Sequence, residues 1–433
     1  MLRRTFPAAL LGGSGILAAA PRDPVLDFIS RHSVAIGGSL LDPPKRSRGK
    51  LRKILSGVRV LGAGECNHGT SEFQVFKDRL FRFLVEEMGF TIFALEASFS
   101  ACKALNQYIL TGQGERDAVL AAQGYTVWDT VEMAGQVEWM RRYNQTAAAN
   151  RKVQLAGLDL AYTAASRANV LAWLRSRDPV RAAAAEQLFR PMIEIDEKWP
   201  RRNDPALGKN ILADVQALAR FVRETGRGAP ETADPMTDPI WDMDVIEQCV
   251  QQAAGVQVRN QAMGANMLRL LDRYPEAKAM VSAFNSHLAA DGPERLGSRL
   301  RQRLGKAYYV MAAEFGTGSF HTRVVDDDLA WSRFHVLTPP APPERSVPWY
   351  FQQARKGSVF LPLGEAPPAA RSWLDEPQMM HQTGWALIPD PAWPRYAPQR
   401  ALRSYDGVFF VERIRPTQPT ASAMEAARQR LRF

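Results

Sequence analysis

Short runs of nearly uninterrupted apolar residues punctuate a chain whose longer stretches repeat apolar positions every three or four residues. The runs lie at 58–64, 91–95, 153–158, 279–284 and 307–312. Continuous apolar character marks strands covered on both faces, so these five predict a parallel sheet enclosed by helices. Between the first two runs, Phe73, Phe76, Leu80, Phe83 and Leu84 fall on one helical face. Ser71 and Gln74 have capping-box spacing, and Gly89 stands where a helix closes in the left-handed conformation. Strand, helix and strand in this order form a right-handed crossover unit.

From 165 to 275 the pattern is almost wholly helical, broken by a loop at 225–239. This stretch is an insertion between the third and fourth strands, a helical subdomain or lid over the sheet. About half of the 29 prolines follow Thr338. Long helices are not expected there, and 338–433 reads as an irregular part closing the domain, with one last strand at 405–411. The predicted architecture is one three-layer α/β/α domain over 23–433, with a mostly parallel central sheet and a large helical insertion.

The first 22 residues read differently. Arg3 and Arg4 precede Thr5 and Phe6, and the 14 residues from Pro7 to Ala20 are mostly small and apolar. That is short of the roughly 20 needed to span a bilayer, and it fits a cleavable export signal of the twin-arginine kind. A periplasmic or secreted bacterial protein is expected, with no stable membrane span beyond it.

Composition narrows the functional classes. Among 433 residues, 46% hydrophobic and 23% charged are ordinary globular values. Three cysteines, Cys66, Cys102 and Cys249, exclude a disulfide framework and are too scattered for a Cys-rich zinc site. A net charge of +10 and a pI near 9.6 describe a basic surface. Arginines are spread along the chain with no zinc-finger, RNP or phosphate-loop pattern, so nucleic acid is not expected as a partner. A monomer acting on a small molecule without a cofactor is.

In open α/β sheets, ligands bind beyond the carboxyl ends of the strands. Strand one runs into Glu65-Cys66-Asn67-His68-Gly69-Thr70, strand two ends at Glu96 and strand three at Asp159. Strand four ends at Asn285-Ser286-His287 and strand five at Glu314. A carboxylate on one imidazole nitrogen fixes the tautomer and raises basicity, leaving the other nitrogen to take a proton from water. Glu65 and His68, three residues apart at a helix entrance, have the spacing for this. There is no Gly-x-Ser-x-Gly elbow, and acidic neighbours disfavour a Cys66 thiolate, so activated water is the expected nucleophile. Glu65, His68, Glu96, Asp159 and His287 also form a mixed N/O set open to a zinc, manganese or iron ion, and that alternative stands beside the first. His32, His321, His335 and His381 are isolated and read as structural or surface residues. Tyr125, Trp128 and Trp241 serve either an apolar pocket or the core.

These residues resemble a known family. The run Gly64-Glu65-Cys66-Asn67-His68-Gly69-Thr70-Ser71-Glu72-Phe73 is similar to the Gly-Glu-x-x-His-Gly-Thr-x-Glu-Phe motif of the erythromycin esterases. Phe93-Ala94-Leu95-Glu96-Ala97, Asn106-Gln107-Tyr108-Ile109, the segment 139–144, Gly157-Leu158-Asp159, Asn285-Ser286-His287 and the segment 405–411 follow in the family's order, covering about residues 50 to 415. The resemblance implies hydrolysis of an ester, a macrolide lactone in the namesake enzymes, by water that a histidine activates without metal. Carried over, His68 is the general base, Glu65 and Glu96 orient and charge-stabilise it, and His287 belongs to the fourth-strand motif. Lys77 takes the place of a basic residue facing the cleft, with Asn285 and Asp159 toward the substrate. The resistance enzymes carry His-Asn-x-His where this chain has Phe284-Asn285-Ser286-His287, and Lys77 stands where Arg is usual. Macrolide cleavage therefore follows from the family name more than from these residues.

Overall fold

All five apolar runs form strands, and the chain adds others around them. The computed structural model describes residues 23–36, 45–198, 205–227, 238–325, 331–384, 386–387 and 396–429. The export signal expected at 1–22 and most of the loop predicted at 225–239 lie outside the described residues. In chain order the strands are β1 (Val34–Ala35), β2 (Val60–Ala63), β3 (Phe90–Ser98), β4 (Gln154–Asp159), β5 (Lys278–Ser282), β6 (Tyr308–Gly318), β7 (Phe320–Val325), β8 (Trp331–Leu337), β9 (Val359–Pro362), β10 (Gln378–His381), β11 (Ala386–Leu387), β12 (Tyr396–Gln399) and β13 (Gly407–Ile414).

Eight of them make one sheet in the order β1-β9-β13-β6-β2-β5-β3-β4. Neighbours from β13 to β4 are parallel, while β9 and β1 extend the β13 edge antiparallel. Alternation along each strand sorts its residues into two cores. Val60, Ile92, Ala279, Val281 and Val310 pack on one face, and Leu61, Phe93, Met280 and Met311 on the other. Both faces are therefore covered, as the continuous apolar runs require. The fold is the expected α/β/α arrangement.

The excursion between β4 and β5 begins with helix Ala164–Arg175 and ends with Arg259–Arg273. It has its own apolar core, including Leu174, Val215, Val222, Ile246 and Val250. No helix among the described residues is long and apolar enough to cross a membrane.

Three local expectations change. Helix Ser71–Met88 does end on Gly89 at φ 78°, but its N-cap is Thr70 and no side chain caps it. Gln74 instead accepts from the Thr130 hydroxyl and donates to Val127 O, because the buried chain beside it offers better partners than the helix end. Second, β6 continues to Gly318, so Glu314 lies within the strand and not beyond it. Third, the C-terminal part is not irregular: helices Val347–Ala354 and Pro368–Asp375 alternate with β9, β10 and β13, and prolines sit at helix starts where no N–H is needed.

Asn144 shows how polar groups hold the layers together. Its amide donates to Val153 O at 2.8 Å and Ile109 O at 3.2 Å, and accepts from Val153 N at 2.7 Å. One buried side chain thus ties two helices to the entrance of β4. Asn144→Ala leaves three buried backbone groups unpaired, and a loss of about 1–3 kcal/mol per the usual cost of such groups is expected in urea unfolding. An unchanged midpoint would show that the clamp carries no stability.

Candidate active site

The turn after β2 is shaped by close approaches that only glycine permits. A Cβ on Gly64 would lie 2.2 Å from Asn285 Oδ1, and one on Gly69 would lie 1.7 Å from His321 O. Between them, Asn67 Oδ1 accepts from Gly69 N and from the Thr70 hydroxyl, folding the turn onto itself. Cys66 O accepts from Thr383 N and Gly384 N, and His68 N donates to Gly384 O. The loop is pinned on both sides.

This geometry brings Glu65 and His68 together. His68 Nδ1 is 2.5 Å from Glu65 Oε1, and Lys77 Nζ donates to Glu65 Oε2 at 2.6 Å. Side-chain exposures are 0% for Glu65, 3% for Lys77 and 7% for His68. Burial pushes the Glu65 carboxyl upward, but Lys77 and His68 outweigh it and hold it below the usual carboxylate range. Lys77 is thus committed to Glu65 and is not a free basic group for a ligand.

Glu96 belongs to a second cluster. Its Oε1 is 3.2 Å from His287 Nε2 and accepts from Arg259 at 2.8 Å, while Oε2 accepts from Phe284 N at 2.8 Å. Asp159 receives Arg259 through both Nε and Nη2 and accepts the Tyr125 hydroxyl at 2.7 Å. Burial opposes ionisation of Glu96, yet His287 and Arg259 hold its carboxyl well below the usual range. Glu96 does not orient His68 directly, since its hydrogen-bond partners are His287, Arg259 and Phe284 N, and it acts on His68 through charge alone. Asn285 is likewise spent internally, its amide exchanging two hydrogen bonds with the Ala313 backbone. Asp159 serves as the anchor of Arg259.

Arg259 and Asn260 were not singled out from the sequence. One signal was there, since a cation at the first position of helix Arg259–Arg273 opposes the helix dipole and calls for carboxylate partners. Trp128 donates to Glu96 O and packs edge-on to His68 with ring centroids 5.3 Å apart, linking the two clusters. Phe284 flanks both imidazoles at 5.9 and 6.2 Å. Trp128 and Trp241 are core residues. The histidines read as isolated are not uniformly so: His381 pairs with Glu314 and His32 with Glu365.

The imidazoles differ in what they leave open. His287 uses Nε2 on Glu96 and places Nδ1 2.5 Å from Asn260 Oδ1. His68 uses Nδ1 alone, and its Nε2 makes no hydrogen bond among the described residues. A base needs such an open nitrogen. The set Glu65, His68, Glu96, Asp159 and His287 does not converge on one point as a metal would require. Lys77 and Arg259 already neutralise its carboxylates.

The sequence profile of the erythromycin esterases matches residues 85–414. The YbfO protein of Bacillus subtilis is 22% identical over 434 aligned positions, covering 90% of this chain and 91% of its own. The type II erythromycin esterase of Escherichia coli is 34% identical over 110 residues, 25% of each chain. The crystal structure of an erythromycin esterase variant, EreC in its open conformation, superposes with a TM-score of 0.65 at 19% identity, covering 86% of this chain and 95% of that one.

Both depressed carboxyls make a pH prediction. A group whose folded value lies below its ordinary 4.5 stabilises the fold above that pH and loses the contribution as pH falls through the folded value. The unfolding free-energy gap between wild type and Glu96→Gln should be widest near neutrality and shrink below about pH 4.5. Urea melts at pH 7, 5, 4 and 3 measure it, and a gap that widens on acidification contradicts the assignment.

Proposed function

The chain belongs to the erythromycin esterase family, and on that footing we propose that it is an exported hydrolase opening an ester or lactone with water activated by His68. The observation that carries this reading is the Glu65–His68 contact at 2.5 Å, with Nε2 left open. Glu65 holds Nδ1 protonated, so Nε2 has the lone pair that takes a proton from water. The hydroxide equivalent attacks the acyl carbon, and the imidazolium formed is stabilised by Glu65 until it returns the proton to the departing alkoxide. Lys77 balances the second oxygen of Glu65, keeping that carboxylate ionised through the cycle.

Water as nucleophile agrees with the state of the one thiol nearby. Burial, with Glu314 and Glu65 adding to it, pushes the Cys66 thiol well above its ordinary range, which leaves almost no thiolate. The chemistry of this cluster calls for no metal. A macrolide is one candidate substrate, and resistance to such antibiotics one consequence. Phe284 beside both imidazoles favours an apolar acyl or alcohol part over a strongly polar one. It also motivates a second reading, a ligand-binding homologue without turnover.

A panel of aryl esters, simple lactones and macrolides separates these readings. Loss of the general base should lower kcat by roughly 10²–10⁴ in His68→Ala, and Glu65→Gln should also lose turnover. Equal rates in wild type and His68→Ala would eliminate the mechanism, and tight binding without product would favour the second reading.

Export is supported by Arg3 and Arg4 ahead of the apolar run in the leader. Replacing both with lysine should leave the full chain in the cytoplasm of a bacterial host, whereas the native leader carries it to the periplasm. Equal fractionation of the two would remove the twin-arginine route.

A further inference from the structure

A second carboxylate–imidazole pair stands behind the loop that carries Glu65 and His68. Among the described residues, β10 pairs only with β12, in a ribbon separate from the eight-stranded sheet. A two-stranded ribbon is marginal on its own, so its ties to the rest of the fold matter. At the end of β10, His381 meets Glu314 of β6 through two atoms. Glu314 Oε1 accepts from His381 N at 2.9 Å, and Oε2 lies 2.6 Å from Nδ1. Glu314 is set in the sheet opposite Phe410 of β13. Exposure is 0% for Glu314 and 3% for His381.

The ring is oriented for this one contact. Phe315 and Tyr396 pack against it with centroids 4.0 and 4.4 Å away. Its Nε2 is buried and has no hydrogen-bond partner among the described residues, so the polar tie of the ring is to Glu314. Cys66 Sγ lies within 4.8 Å of both groups, which places the pair directly against the loop.

The residues that follow His381 grip that loop through the backbone. Thr383 N and Gly384 N donate to Cys66 O at 3.1 and 3.2 Å, and Gly384 O accepts from His68 N at 3.3 Å. Asn67 and Gly384 also form an isolated parallel bridge. Thr383 is two residues beyond His381, a span of about 7 Å at most. We propose that His381, through its bond to Glu314, is a positioning residue that holds the segment 381–384 and thereby the imidazole of His68. This rests on the reading of His68 as general base and adds the support that keeps it in register.

Position matters here because a displacement of about 1 Å, even from a change away from the reacting groups, can cost about 10²-fold in rate. Loss of the ring need not unfold the protein. Burial pushes the Glu314 carboxyl above its ordinary range even beside the imidazole. Without that partner it stays a neutral acid instead of an unpaired buried charge.

Two readouts on the full chain test the proposal. His381→Leu should lower kcat roughly tenfold to a hundredfold with KM little changed, on whichever ester of the panel is turned over. His381→Asn keeps an amide where Nδ1 stands and should recover most of that loss. Hydrogen–deuterium exchange of the segments 64–70 and 381–384 should quicken about tenfold or more in His381→Leu and stay near wild type in His381→Asn. Asn144→Ala, which loosens the fold elsewhere, should match wild type in both readouts. A kcat unchanged in folded His381→Leu would overturn the proposal, as would equal losses in the leucine and asparagine variants. If wild type turns over no ester, the hydrolase reading fails and exchange alone decides, with unchanged protection of 64–70 in His381→Leu overturning the positioning role. If circular dichroism shows His381→Leu unfolded, Glu314→Ala takes its place under the same criteria.

Discussion

A carboxylate with no access to water, shared between an imidazole and an ammonium, is the constraint around which the rest of this site is arranged. Glu65 has no exposed surface, and an isolated ion there would take up a proton instead of staying charged. It stays ionised because His68 and Lys77 each hold one of its oxygens. Removing either partner of such a pair leaves an uncompensated buried charge, at a cost of about 3–5 kcal/mol. The loop glycines, the Asn67 turn and the pins to Thr383 and Gly384 keep those three side chains in register.

The second cluster is built on the same rule with a different balance. Glu96 and Asp159 supply two carboxylates, Arg259 the cation between them and His287 a further donor. Arg259 comes from the helical insertion and Glu96 from β3, so the pairing also fastens the insertion to the sheet. Trp128 packs against His68, and Phe284 against both imidazoles. Low local polarity strengthens every one of these ion pairs. It also makes the difference between His68 and His287 consequential, because one nitrogen of His68 alone stays open.

Much of this was legible before any coordinates. Apolar runs without alternation mark strands buried on both faces, and all five formed in the sheet. The Glu65–His68 spacing is local, since three residues in a turn bring their side chains to one side, and the contact is made as expected. The hydrogen-bond partners of Glu96 were not legible, because they come from distant segments, Arg259 being 163 residues away and Phe284 N 188. Glu314 was misplaced for a simpler reason: an apolar run signals burial but does not mark where a strand stops. Ser71 and Gln74 fit a capping box by spacing, but Gln74 found Thr130, 56 residues further along the chain.

The sequence alone determined which segments are buried, in what order strands and helices alternate, and which family the chain resembles. These follow from local periodicity and from motifs within a few residues of one another. Only the tertiary structure decided which charge meets which. Ion pairing acts over a few ångströms through space, and those distances depend on sheet order, with β2 between β5 and β6 and the C-terminal strand β13 beside β6. His381 shows the difference most plainly. Nothing within its own segment announces a partner, yet β10 carries it to Glu314 and Cys66, where burial turns an isolated histidine into one member of a cluster.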